Sequence, residues 1–377
     1  MSTVKRFWLL SAVLAFVLCL TAAGAAAVRY REHFPAVKRL LSEAPAMSEE
    51  AAGGEYKDLK PGERTPKGIY YRNKVIVLMY HDVQPTPSDT KALALDKLER
   101  QLELMRDNNF HVISMDEYKA FILKRKPVPD NAVLLTFDDG YESFYRYAYP
   151  VLLKNGLTAT NFVIAGTIGN PKHAGVPKLT WEQMKAMRKH GMDFYSHTYD
   201  SHAYAPENAK GNRLVPLLAG RVYRSDLGRR ETEKEYESRI REDLDHANRT
   251  LQKELGVRND VLAFPYGAFS RPLLRTCKEL GINVTLTVKP GMNGPGRGNG
   301  FRLNAGGAEN DPELQIELMK QAPRLIGHNR YQPPDRAYLL LTLPLLVMFV
   351  GALWLRSAWE VIILRRKKLS LLPGKPS

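Results

Sequence analysis

From residue 74 onward, short apolar runs alternate with longer stretches in which apolar positions recur every three or four residues. Residues 75–80 and 131–137 are almost uninterrupted apolar segments, the pattern of strands covered on both faces in a parallel sheet. Similar segments at 112–114, 159–164, 191–196 and 261–263 predict further strands. Helical spacing predicts helices over 95–108, 115–124, 145–154 and 180–190, the last with Thr180 as its cap. A long helix of mixed charge is predicted over 231–254, with Tyr236, Ile240, Leu244 and Leu251 on one buried face. This β/α order implies an α/β fold with a parallel sheet, and over about 250 residues a single barrel is the economical solution. Two segments interrupt it. Residues 203–230 form a basic, Pro- and Gly-containing stretch that reads as a flap or wall, and 291–300 carry five glycines in ten residues, which predicts a mobile loop after the last barrel strand.

The chain ends follow another pattern. A basic start at 1–6 precedes an apolar run at 7–20 and a small-residue tail to Val28, the layout of a secretory signal peptide or of an uncleaved signal anchor. Residues 337–355 hold no charge and are long enough to span a bilayer. Arg356 and the cluster Arg365 to Lys368 follow, which the positive-inside tendency keeps cytoplasmic. The organisation expected is therefore 1–28 signal or anchor, 29–70 flexible linker, 71–325 folded domain, 326–336 juxtamembrane linker, 337–355 transmembrane helix and 356–377 basic cytoplasmic tail. The folded domain then lies outside the cell or in the periplasm, attached to the cell membrane.

Charge supports this division. Of the net charge of +15, six lie in 71–325 and nine in the much shorter flanks, which favours anionic lipid headgroups over a nucleic-acid partner. With only Cys19 and Cys277, a disulfide framework is excluded.

Candidate chemistry gathers at two places. Thr136-Phe137-Asp138-Asp139-Gly140 ends one predicted strand, and Ser196-His197-Thr198-Tyr199-Asp200-Ser201-His202 ends another. Strand ends on one rim of a β/α fold carry variable loops on a rigid frame. Carboxylate and imidazole together suit a divalent metal, with a second carboxylate left over as a base, which points to metal-assisted hydrolysis. One carboxylate and two imidazoles suit Zn2+ first, and Fe, Co or Ni equally by donor type.

These motifs resemble the polysaccharide deacetylase (NodB-homology) family, over about residues 74–305. The resemblance implies a distorted, incomplete (β/α) barrel, a hydrolase acting on carbon–nitrogen bonds other than peptides, Asp138 as general base, and Asp139, His197 and His202 as metal ligands. Five positions separate His197 from His202, where most members have four, and that spacing is similar to the branch acting on poly-β-1,6-N-acetylglucosamine. Phe264-Pro265-Tyr266-Gly267 resembles the third motif, a wall of the sugar groove in which the Tyr266 backbone N–H is an oxyanion donor. Tyr80-His81-Asp82 resembles an element of the same branch and puts His81 in the mouth, where Tyr199, Tyr204 and Tyr266 are further candidates to meet sugar rings.

Two departures stand out. The arginine that opens the third motif and orients the base is missing, with Asp260 near its place. The late histidine that supplies the general acid is expected near 284–288, yet none occurs between His246 and His328. The implied partners are an N-acetylglucosamine polysaccharide, the membrane, and machinery of polysaccharide synthesis or export. Peptidoglycan N-deacetylation and a non-catalytic glycan-binding role are the alternatives. A glycoside hydrolase fits poorly, because adjacent aspartates do not span a glycosidic bond.

Overall fold

Every residue of β1 (Val75–Tyr80), β5 (Ala132–Asp138) and β6 (Ala159–Ile164) is buried, as strands covered on both faces must be. The structure is a computed structural model, describing residues 3–29, 59–87, 92–170, 173–306, 310–327 and 337–370. Its chain separates into two units, Pro45–Tyr331 and the two ends Met1–Ala44 with Gln332–Ser377.

In the larger unit β2 (Asp82–Gln84) and β3 (Ala92–Ala94) lead into α2 (Leu95–Asp107), β4 (His111–Val112), α3 (Met115–Lys124) and β5. After β5 a π-helical turn, Phe144–Ala148, enters α4 (Tyr149–Lys154), then β6, α5 (Trp181–Arg188) and β7 (Met192–Thr198). The stretch predicted as a flap folds as two antiparallel hairpins, β8 (Tyr204–Pro206) with β9 (Leu214–Pro216), and β10 (Tyr223–Arg224) with β11 (Arg229–Arg230). The chain continues through α6 (Glu233–Leu255), β12 (Val261–Ala263), α7 (Arg271–Glu279), β13 (Val284–Leu286), β14 (Asn299–Gly300), β15 (Leu303–Asn304) and α8 (Pro312–Lys320). Capping boxes start α3, α5 and α6 at Ser114, Thr180 and Thr232.

One sheet dominates, in the order β14-β13-β12-β7-β6-β5-β1-β15, with β4 also paired to β5, and all its pairings are parallel. It curls into an incomplete barrel. Alternation splits each strand between two cores. Ile76, Leu78, Val133, Leu135 and Phe137 pack outward against helices, whereas Val75, Val77, Ala132 and Leu134 pack inward against Met115, Tyr118, Phe121 and Ile122 of α3. Helix α3 thus fills the inside of the curl and leaves the carboxyl ends of the strands for the site.

The glycine-rich segment is not a mobile loop. Asn293 exchanges both backbone hydrogen bonds with Val75 at 2.9 Å, and β14 at its end joins β13. A Cβ on Gly300 would lie 2.7 Å from Leu286 Cδ2 and 2.8 Å from the Tyr118 hydroxyl, so close packing, not mobility, is what the glycine serves. The predicted linker is also partly a fixed element. Residues 30–58 lie outside the described residues, but Thr65 N donates to Asn108 Oδ1 at 2.9 Å and Tyr70 N to Asn131 Oδ1 at 2.8 Å.

The smaller unit is a pair of helices, α1 (Thr3–Arg29) and α9 (Ala337–Ser370). Helix α9 continues well past residue 355, and among the described residues the window apolar and long enough to cross a membrane is Val347–Arg366. Trp354 Nε1 donates to Ser11 Oγ at 2.8 Å, and the rings of Phe7 and Trp354 lie 5.8 Å apart. Ser357 is buried, while Trp8, Phe16, Met348 and Phe349 are each more than 60 % exposed.

Candidate metal centre

Strand periodicity assembles the site. Met79 and His81, Leu134 and Asp138, Tyr195 and His197 keep the inward parity of their strands, so Asp138, His197 and His81 all arrive on the inner face at the carboxyl ends. At Asp139 the chain leaves the strand with φ of 71°, followed by Gly140 at 64°; two successive left-handed residues make a sharp turn that only the glycine adopts without strain. The segment at 177–179 holds this turn. Lys178 Nζ donates to Asp139 O, Glu142 N to Pro177 O and Leu179 N to Gly140 O, each at 2.9 Å.

His197 lies at a register shift in β7, where Ser196 pairs with Val163 but Thr198 with Ile164, a bulge that aims its ring. Its Nδ1 lies 2.7 Å from the Ala263 carbonyl. That oxygen can only accept, so Nδ1 carries the proton and Nε2 presents a lone pair to the site. Nε2 is 3.7 Å from Asp139 Oδ1, and His202 Nε2 is 3.3 Å from the same oxygen. Asp139 Oδ1 is buried yet accepts no hydrogen bond. An orphaned carboxylate oxygen facing two imidazole nitrogens, all within 4.8 Å of one another, fits one divalent cation. Burial lowers the His197 pKa to about 4, against the pull of Asp138, so this ring is neutral and ready to ligate at ordinary pH.

Asp138 stands beside the cluster, 1 % exposed, with Oδ2 3.9 Å from His197 Nε2 and 4.0 Å from His81 Nε2. Its other oxygen accepts from Arg302 Nη1 at 2.7 Å. Arg302 is fully buried, and its Nε donates to the Thr287 carbonyl at 2.9 Å. Burial alone would raise the Asp138 pKa, but Arg302, His197 and His81 together hold it below the usual carboxylate range. Asp139 is lowered too: burial opposes this, and His81, His197, His202 and Lys178 prevail.

The other expected residues are placed unevenly. Tyr266, in the left-handed region at φ of 57°, puts its hydroxyl 3.3 Å from His202 Nδ1 and its ring 4.3 Å from that of Tyr204 on β8. Phe264 and Pro265, expected to touch substrate, are buried instead; Phe264 stacks on Phe269 within a core, so its side chain offers a ligand no surface. Tyr199 is turned onto α6, its ring 3.6 Å from that of His246, which takes one face away from any sugar. Asp260, near the place of the missing motif arginine, pairs with Lys119 at 3.3 Å. The cation that pairs with Asp138 is Arg302, which the sequence reading did not single out. Its signal in the sequence was faint, a cation at the end of a glycine-rich segment.

Residues 125–285 match the family model described as polysaccharide deacetylase. The chain is similar to poly-beta-1,6-N-acetyl-D-glucosamine N-deacetylase of Escherichia coli K12, 28% identical over 233 residues, a match covering 58% of this chain. That match spans 34% of the Escherichia coli protein, about a third of its length. Among solved structures, IcaB from Ammonifex degensii is similar at 27% identity and a TM-score of 0.56, covering 66% of this chain and 98% of that one. The BpsB deacetylase domain from Bordetella bronchiseptica is similar at 28% identity and a TM-score of 0.54, covering 65% and 98%.

Proposed function

We propose, from the premise that this chain carries a NodB-type polysaccharide deacetylase domain and is a hydrolase of carbon–nitrogen bonds other than peptides, that it removes acetyl groups from poly-β-1,6-N-acetylglucosamine outside the cell. The observation that carries the reading is the convergence of Asp139, His197 and His202 beside an Asp138 clamped by Arg302. The five-residue histidine spacing and the named Escherichia coli relative favour the β-1,6 polymer over peptidoglycan.

Each residue has a task in this chemistry. A divalent cation on Asp139, His197 and His202, taken here as zinc among the metals this donor set suits, would supply Lewis acidity toward water and the acyl oxygen. Asp138 is ionised at neutral pH, and with Oδ1 occupied by Arg302 its Oδ2 faces the cluster to take the proton of the attacking water. The Tyr266 backbone N–H is the donor to the oxyanion. To His81, whose Nε2 lies 4.0 Å from Asp138 Oδ2, we assign protonation of the departing amine in place of the absent late histidine. Exposed Tyr204 and its neighbour Tyr266 offer aromatic surface to a pyranose ring.

The helical unit supports membrane attachment. Its hydrogen-bonded contact lies in the seam and its large apolar side chains point outward, the reverse of a water-soluble pair. Two spans that flank one exported domain must run antiparallel, with Phe7 and Ser11 against Trp354 in their seam, which sets Lys5 and Arg6 on the same side as Arg365 and Arg366. Helix α1 is then a retained anchor, and the catalytic domain works at the outer membrane surface beside the machinery that makes or exports the polymer.

Defined β-1,6 and β-1,4 N-acetylglucosamine oligomers test the reading, by mass spectrometry with and without chelator. The expected result is loss of one acetyl per event from the β-1,6 oligomer, abolished by chelator and reduced ~10²- to 10⁴-fold in Asp138→Asn. Chain shortening without acetate release would identify a glycosidase, and a parent that releases no acetate, indistinguishable from Asp138→Asn, would leave only glycan binding.

A further inference from the structure

The loop joining the two histidine ligands is held from outside the site. At its start Thr198 sits at φ of 120°, which a β-branched residue keeps only when its surroundings impose it. Helix α6 supplies the constraint. The Asp243 carboxylate spans the loop, accepting Tyr199 N on Oδ1 at 3.1 Å and Asp200 N on Oδ2 at 2.9 Å. About one turn along α6, His246 stacks on Tyr199 at 3.6 Å between ring centres and 16° between planes. Two further bonds complete the frame, Gly166 N to Tyr199 O at 2.9 Å and Ser201 N to Thr198 Oγ1 at 3.0 Å. A loop one residue longer than the usual spacing has an extra pair of soft dihedrals between its ligands, and these contacts remove that freedom.

We propose that Asp243, assisted by His246, is the positioning residue for His202: it fixes the loop backbone so that the imidazole meets Asp139 and His197 without reorganisation. Asp243 is not among the ligand atoms or reacting groups and acts through its bonds to the Tyr199 and Asp200 amides. The inference rests on the metal reading of the site, and two readouts separate them.

The first is zinc affinity of the full-length protein in detergent, by competition with a chromophoric chelator. Asp243→Ala is expected to weaken zinc binding ~10- to 100-fold, as loss of a group that orients a ligand does. Asp243→Asn, which keeps one acceptor, should fall between. Asp245→Asn, a surface change on the same helix at a residue paired with Arg249, should match the parent. The second readout needs no metal: the Tyr199 and Asp200 amides should resist hydrogen exchange in the metal-free parent and lose that protection in Asp243→Ala while α6 keeps its own. A role confined to overall stability would lower the melting midpoint and leave zinc affinity unmoved, and equal affinity in Asp243→Ala and parent overturns the proposal. If the parent itself binds no zinc, the metal reading fails and hydrogen exchange alone decides the clamp, unchanged protection in Asp243→Ala overturning it.

Discussion

Asp138 and Arg302 are 164 positions apart in sequence and 2.7 Å apart in the fold. Replacing Arg302 with Met leaves the burial of Asp138 opposed by imidazoles alone, so the acid limb of the kcat/KM pH profile should move to higher pH. Removing one member of a buried pair should also cost about 3 to 5 kcal/mol of stability, read from denaturant midpoints. Arg302→Lys should rescue little, because an ammonium cannot reach Asp138 and the Thr287 carbonyl in one fork. His197 makes a second prediction, for the metal-free protein. Its folded pKa of about 4 lies below the ordinary 6.5, so between these values the unfolded chain binds a proton that the folded chain does not. Stability should therefore fall as pH drops through that window, and a urea midpoint that stays flat from pH 6.5 to 4 would refute it. The aspartates and histidines were legible as residues because their motifs are contiguous. Arg302 was not, because no local pattern records a partner so far along the chain.

At the scale of elements, legibility followed hydrophobic period. The strands at 75–80, 131–137 and 159–164 and the long helix with Tyr236, Ile240, Leu244 and Leu251 inward appear nearly where alternation and helical spacing put them. The glycine-rich segment was misjudged because glycine signals mobility and close approach in the same way, and packing against Leu286 and Tyr118 decided for close approach. Gly267 is a sharper case. It has φ of 63°, and a Cβ there would lie 2.6 Å from the Val288 backbone nitrogen, which no side-chain rotation relieves. Gly267→Ala should destabilise the protein by about 1 to 3 kcal/mol and displace the Tyr266 turn, lowering kcat more than it raises KM. Equal melting midpoints for variant and parent would count against this account.

For the whole molecule, the question open in the sequence was whether the apolar start is a removable signal or an anchor. The seam between Ser11 and Trp354 favours retention, and intact mass of protein extracted from membranes should include residues 1–28. A mature start near residue 28 would reject the hairpin. Residues 75–305 announced a parallel β/α sheet and its rim of carboxylates and imidazoles by themselves, because period and contiguous motifs are properties of short windows. What Asp138 leans on, which aromatics face outward, how α3 plugs the curl and how α6 grips the histidine loop were decided only in three dimensions. Those contacts join residues tens to hundreds of positions apart, and burial, charge and backbone strain at such junctions depend on neighbours that a linear pattern does not contain.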